Sequence, residues 1–156
     1  MEWDKLWAYN KDYIDPISPR YTAIVKETSA KIIIDNFPDK GTTTVETHPL
    51  HLKNEALGTK AVLYGENLWV EKGDASEVEV GEKITLLKWG NAIVTKKEET
   101  NGELFLHADL LPDDKDFKKT KKFTWITACP KTTFEVTLVE LDHLITKKKV
   151  EENESV

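Results

Sequence analysis

The groups able to do chemistry in this chain are few and widely spaced. His48 and His51 lie three residues apart, but they flank Pro49 in a stretch that reads as a loop, and no carboxylate or cysteine completes a ligand set. No metal is expected there. The single cysteine, Cys129, cannot form an internal disulfide, which suits a reducing cytosol, and it reads as a small packed strand residue rather than a nucleophile. The 28 acidic residues scatter over turns and strand edges without an evident pair for acid–base work. A glycine-rich phosphate loop and a nucleophile elbow are both missing. Binding, not catalysis, is the chemistry to look for, and two stretches offer it. Lys88-Trp89-Gly90-Asn91 sets an aromatic ring beside a cation and an amide in a tight turn; the plainer alternative is that Trp89 packs and Gly90 merely allows the turn. Lys115 to Lys131 holds six lysines and one acid, whereas Glu66 to Glu82 holds six acids and one lysine. The net charge of −6 argues mildly against a nucleic-acid partner, yet a chain acidic overall can present one basic face. Lysine runs are also ordinary solvated surface.

The elements that must position these groups are mostly strands. Glu2 to Asp15 reads as one amphipathic helix, with Trp3, Leu6, Trp7 (or Asn10), Tyr13 and Ile14 at helical spacing. Asp15-Pro16-Ile17-Ser18-Pro19 stops it, because each proline excludes its predecessor from the helical region. Such a helix must pack on something, either across a barrel or against a preceding domain. Beyond Arg20, β-branched and aromatic runs predict strands at Tyr21–Glu27, Ala30–Ile34, Ala61–Tyr64, Leu68–Glu71, Lys83–Leu87, Ala92–Lys97, Glu103–Leu110, Lys122–Ala128 and Thr133–Val139. Turn residues separate several of them, at Asp39-Lys40-Gly41, Gly65-Glu66-Asn67, Glu79-Val80-Gly81 and Asn101-Gly102. The last is the strongest hairpin signal. Trp69 and Trp125 fall in strand patterns and read as core. A chain of 156 residues suits one domain or two small joined lobes. The tail after Ile145 has too little apolar content to pack.

Two segments carry a resemblance to a known family. Trp3-Asp4-Lys5-Leu6-Trp7-Ala8-Tyr9-Asn10-Lys11, followed by Ile14-Asp15-Pro16-Ile17-Ser18-Pro19-Arg20-Tyr21-Thr22-Ala23, resembles the junction segment of archaeal and eukaryotic glutamyl-tRNA synthetases. Ile84-Thr85-Leu86-Leu87-Lys88-Trp89-Gly90-Asn91-Ala92-Ile93 is similar to a strand-turn-strand in the barrel region of the same family. Lesser matches are Thr47-His48-Pro49, Asn54-Glu55-Ala56-Leu57-Gly58 and Asp142-His143-Leu144-Ile145-Thr146. The resemblance implies an all-β fold of antiparallel β-barrels, proximal and distal, akin to a ribosomal-protein barrel, with one N-terminal helix. It implies a junction helix and linker over residues 1–20, an anticodon-binding β-barrel region over 21–146 and a frayed charged tail over 147–156. The adenylation motifs of the class I catalytic half are absent, so the resemblance makes this chain a fragment whose catalytic half precedes Met1, cytoplasmic and inactive alone. ATP and Mg2+ would be cofactors of that half, and none is expected here. In the family, strands beyond the Asp-His-Leu-Ile-Thr segment finish the proximal barrel, including a basic-aromatic hairpin, whereas this chain ends soon after Thr146; the barrel is expected to be truncated or to close differently.

Site residues follow from the resemblance. Arg20 matches an arginine that contacts an anticodon base in the glutaminyl relatives, and its planar donor fork can bond or stack on an unpaired base; alternatively it braces the loop carbonyls. Lys88, Trp89 and Asn91 form the next cluster, His48 and Lys53 could touch backbone or base, and Lys118 and Lys119 beside Phe117 would steer phosphates. The implied partners are the anticodon stem-loop of tRNA-Glu, the catalytic half of the synthetase, and other synthetases or a tRNA-binding cofactor protein, with no membrane and no DNA. Two readings stand beside this one: a protein-interaction module docking into a multi-synthetase complex, favoured by net charge, and the equivalent domain of a glutaminyl enzyme.

Overall fold

The computed structural model describes residues 2–130 and 132–139. Expectations placed on Lys131, Asp142–Thr146 and the charged tail lie outside the described residues. The chain divides into two compact units, one drawn from Met1–Arg20, Pro49–Lys60 and Glu135–Val156, the other from Tyr21–His48 and Ala61–Phe134.

In the smaller unit, helix α1 spans Trp3–Ile14 and runs into a single 3-10 turn at Asp15–Ile17. Asp4 in its first turn and Lys11 in its last suit the helix dipole. Pro16 sits at the start of the 3-10 turn, where a missing N–H costs nothing, and the chain leaves helical geometry at Ser18. No residue of α1 is buried: Trp7, Tyr9 and Tyr13 remain 51%, 76% and 71% exposed. The segment after Pro49 holds a 3-10 turn at Glu55–Leu57, capped by Asn54, whose Oδ1 accepts from the Ala56 N–H at 3.2 Å. The Asn54 amide also donates to the Pro16 carbonyl at 2.7 Å, which ties this loop to the end of the helix.

The larger unit is a sheet that curls on itself. Its strands are β1 (Ser29–Ile34), β4 (Asn67–Glu71), β5 (Lys83–Leu86), β6 (Gly90–Thr100), β7 (Glu103–Leu111), β8 (Lys121–Phe123) and β9 (Trp125–Thr127), in the order β8-β5-β6-β7-β1-β4-β9. The two edge strands are consecutive in sequence and separated only by Thr124. One short stretch of chain therefore bends at Thr124, pairs with β5 on one side and β4 on the other, and nearly closes the sheet into a barrel. The expected single strand at Lys122–Ala128 is these two pieces. Pairing is antiparallel except at β1·β7 and β5·β8, which are parallel. A second sheet, the ribbon of β2 (Thr43–Pro49) and β3 (Thr59–Gly65), is the only other one among the described residues. Gly65 ends β3 where a Cβ would meet Thr127 Cγ2 at 2.9 Å, and the absent side chain lets the Thr127 hydroxyl reach the Leu63 carbonyl at 2.6 Å.

Alternation builds the core. Ile32, Ile34, Leu68, Val70, Ile84, Leu86, Val94, Leu106 and Phe123 are fully buried. The β6–β7 hairpin turns at Asn101-Gly102 with φ of 54° and 82°, the left-handed pair that a two-residue turn needs, and Thr100 faces Glu103 across it. A short helix, α2 (Lys72–Ser76), follows β4, and the Lys97 ammonium closes its end by donating to the Ser76 and Val78 carbonyls at 2.8 Å each.

Several sequence expectations need correction. Tyr21–Glu27 and Thr133–Val139 are not strands, and Tyr21, Val25, Phe134 and Leu138 stand exposed. Their residue types suit a pleated strand, but no neighbouring strand among the described residues pairs with them, and β-structure requires one. His48, read as part of a loop, lies in β2, a strand so exposed and polar that it has no apolar alternation to detect. Trp69 is not core: Leu68 and Val70 take the inward positions of β4, so Trp69 faces outward, beneath the Lys31 ammonium at 4.8 Å. Cys129 lies beyond the end of β9 and is half-buried.

Candidate nucleic-acid interface

One end of the barrel is made by the β5–β6 turn, Leu87–Trp89, and by the loop that leaves β7 and runs through Asp114 to Thr120. The register sets Asn91 opposite Leu111, so the start of β6 and the end of β7 are adjacent. The turn is stiff. Lys88 holds φ at 65°, a conformation that non-glycine residues seldom adopt, and it is supported from three sides. The Trp125 indole donates to the Leu87 carbonyl at 2.9 Å, the Tyr64 hydroxyl reaches the Lys88 carbonyl at 3.5 Å, and the Leu87 N–H donates to the Phe123 carbonyl at 3.0 Å.

Trp89 packs inward from this turn. Its ring meets Tyr64 edge-on at 5.0 Å, Trp125 at 4.9 Å and Phe37 edge-on at 6.2 Å. His48 joins the same cluster through its Nε2, 2.9 Å from the Tyr64 hydroxyl and 3.4 Å from Glu46 Oε2. Burial pushes the Tyr64 phenol up to about 12, with the charge of Glu46 adding to the rise.

Asn91 is 1% exposed. Its Oδ1 accepts from the Thr85 hydroxyl at 2.6 Å, and its Nδ2 donates to the carbonyls of Asp114 at 3.4 Å and Asp116 at 3.0 Å. The loop those carbonyls belong to is capped from within. Asp114 Oδ1 accepts from the Asp116 N–H at 2.9 Å, and Asp116 Oδ1 accepts from the Lys118 N–H at 3.2 Å. Lys83 adds an ion pair to Asp114 at 2.6 Å; this hydrogen bond and the one from the Asp116 N–H hold the Asp114 carboxyl below its ordinary value, and the bond to Asp114 in turn raises the Lys83 ammonium. At the far end of the loop the hydroxyls of Thr85 and Thr120 are hydrogen-bonded.

The lysines fall into two groups. Four lysines on the strands are neutralised: Lys31 by Glu103, Lys83 by Asp114, Lys96 by Glu98 and Lys121 by Glu82. Lys115, in the loop, and Lys122, on β8, both bond loop carbonyls. The ammonium groups of Lys88, Lys118 and Lys119 have no hydrogen-bond or ion-pair partner among the described residues, and all three side chains are exposed. Phe117, beside the last two, is 41% exposed.

In the smaller unit, Arg20 donates from Nη2 to Asp15 Oδ1 at 2.5 Å, and its side chain is 53% exposed. Its N–H donates to the Leu50 carbonyl at 3.0 Å and its carbonyl accepts from the Lys60 ammonium. Lys53 lies on the same tied loop, with its N–H bonded to His51 Nδ1 at 3.1 Å and its ammonium without a partner among the described residues. The structure thus groups His48 with Trp89, groups Asn91 with the loop of Lys118 and Lys119, and sets Arg20 beside the loop of Lys53. The sequence reading passed over Thr85, Thr120, Asp114 and Asp116. The Asp-x-Asp-x-Lys spacing of Asp114, Asp116 and Lys118 was a readable turn signal; the threonines gave none.

These features define the class: an all-β barrel domain with a rigid end carrying unpaired cations. The chain belongs to the family described as tRNA synthetases class I (E and Q), anti-codon binding domain, whose model matches residues 18–111. It is 44% identical over 156 residues to the cytoplasmic glutamate–tRNA ligase of Saccharomyces cerevisiae, covering 99% of this chain and 21% of that protein. It is 43% identical over 162 residues to the protein of the same name from Arabidopsis thaliana, covering 100% of this chain and 22% of that protein. A bifunctional glutamate/proline–tRNA ligase of Drosophila melanogaster matches at 41% over 128 residues, 81% of this chain and 7% of that protein. The chain is therefore the counterpart of the anticodon-binding domain of a glutamate–tRNA ligase, and it spans about a fifth of the length of the yeast and plant relatives.

Proposed function

We propose that this domain holds the anticodon stem and loop of tRNA-Glu in the cytoplasm, as the non-catalytic part of a ligase that joins glutamate to tRNA with ATP and Mg2+ bound elsewhere in the longer protein. The observation that carries this reading is the set of unpaired ammonium groups on the stiff barrel end, where phosphate oxygens would replace solvent. Lys88, Lys118 and Lys119 contact the backbone. Arg20, held by Asp15 with most of its fork open, reads a base, and Lys53 adds charge beside it. Trp89 and His48 support the turn that presents Lys88. The exposed aromatic residues of α1 dock against the catalytic half of the same synthetase.

Filter binding of the chain to tRNA-Glu and to a non-cognate tRNA across a salt series tests this. Affinity should fall steeply with salt for both, with tRNA-Glu ahead. Arg20→Ala should narrow that preference, by about 1–3 kcal/mol as for other base-specific contacts, at an unchanged melting temperature. Binding that ignores salt would refute the reading. An Arg20→Ala variant with undiminished preference would return Arg20 to bracing its loop.

A further inference from the structure

Asn91 was expected to touch RNA directly, yet its amide is buried beneath the Asp114–Thr120 loop, on the face of β6 opposite the core residues Ala92 and Val94, with its oxygen and both hydrogens engaged. The bonding around it has a direction. Thr85 gives its one hydroxyl hydrogen to Asn91 Oδ1, so the hydrogen between Thr85 and Thr120 comes from Thr120. The Lys122 ammonium in turn fills a lone pair of Thr120 at 2.7 Å. The result is a relay from Lys122 through Thr120 and Thr85 to Asn91, ending on the carbonyls of Asp114 and Asp116. It grips both ends of one loop from beneath. Between its held points stand Lys118 and Lys119, and Asn91 itself follows Lys88 by three residues.

We infer that Thr85, Asn91 and Thr120 are positioning residues, which preform the loop of Lys118 and Lys119 so that it meets a phosphodiester backbone already ordered. The inference rests on the RNA-binding reading above. A free loop of this length would have to be ordered on binding, and the relay removes that cost beforehand. The relay explains why the buried pair Thr85 and Asn91, on the side of β5 and β6 away from the core residues Ile84, Leu86, Ala92 and Val94, is polar: the amide both accepts from a hydroxyl and donates to two carbonyls, which holds the loop.

The test uses the whole chain, an RNA hairpin with the tRNA-Glu anticodon stem-loop sequence, and three changes. Asn91→Asp keeps the shape but faces the two loop carbonyls with oxygen in place of N–H. Thr120→Val, at a half-buried position, breaks the other end of the relay and preserves the strands should Asn91→Asp fail to fold. Lys118→Ala with Lys119→Ala removes the charges themselves. Each relay variant should speed hydrogen exchange at the Asp116 and Lys118 amides while the β6–β7 hairpin stays protected. Each should weaken binding and flatten the slope of log affinity against log salt, toward the loss of about one per phosphate contact expected for the lysine pair. On the background lacking both lysines, the relay variants should cause no further loss. Full affinity in relay variants whose loop amides exchange fast would overturn the inference, as would losses that add to those of the lysine pair; either result leaves the RNA reading standing. If the lysine pair itself proves dispensable, the phosphate reading of this loop falls and the inference falls with it.

Discussion

The outer face of the β1–β7 sheet and the end formed by the Leu87–Trp89 turn and the Asp114–Thr120 loop both carry lysines beside aromatic rings, yet they are built for different ends. On the sheet face, Lys31 lies over Trp69 at 4.8 Å and Phe105 at 5.1 Å, and Glu103 balances its charge at 3.2 Å. Cation, ring and acid satisfy one another, and nothing remains to recruit a partner. At the barrel end the acids bond the loop's own backbone: Asp114 and Asp116 accept from N–H groups, Asp114 takes Lys83 as its ion-pair partner, and Lys118 and Lys119 are left open. Counting lysines therefore says little about where an anion binds. What matters is whether the nearest carboxylate is engaged by the backbone or by the lysine.

The comparison can be broken most forcefully at Trp89, which the sequence offered as a stacking platform and which packs on three rings in the structure. Trp89→Ala should lower folding stability by about 2–3 kcal/mol, since the side chain is only partly buried, as measured by denaturant titration. If stability held and RNA binding collapsed, Trp89 would belong with the open cations instead. Next in size comes Tyr64, which backs the same turn. Its folded phenol titrates near 12 against an ordinary 10.0. As pH rises past 10 the unfolded chain loses this proton and the folded chain keeps it, so stability is intact below that range and declines through it, by about 2–3 kcal/mol in total. Alkaline denaturation curves should show this decline, and Tyr64→Phe should abolish it. The smallest effect is the sharpest contrast. Lys31→Ala should cost at most about 1 kcal/mol of stability and leave RNA affinity and its salt dependence unchanged, opposite to the behaviour expected of Lys118 and Lys119. A loss of affinity in Lys31→Ala would erase the distinction between the two faces.

Much of the fold was legible where local pattern and tertiary demand agree. Asn101-Gly102 announced its hairpin because few residue pairs accept two left-handed φ values in succession. Leu68 and Val70 showed an inward face, and the same alternation should have turned Trp69 outward; aromatic bulk was mistaken for burial. β2 was missed because Thr43–Pro49 is held by a partner strand rather than by an apolar face. Tyr21–Glu27 and Thr133–Val139 were overread for the converse reason, having strand-like side chains without a strand beside them. Of the site, residue types were legible and orientations were not. Lys88, Lys118 and Lys119 look in sequence like Lys83, Lys121 and Lys122, and only the carboxylates and carbonyls that the folded chain sets beside the latter three separate them.

By itself the sequence determined the helix and its proline stop, the inward stripes of most strands, the tight turns and the family. Each of these depends on side-chain shape and backbone freedom within a few residues, which travel with the chain wherever it folds. The tertiary structure alone decided that β8 and β9 close the barrel by bending at Thr124, that the Asp114–Thr120 loop folds over Asn91 and takes its amide, and which ammonium groups stay unpaired. These depend on contacts across tens of residues, where the partner is chosen by the packing of the whole sheet and by the cost of leaving a buried donor without an acceptor.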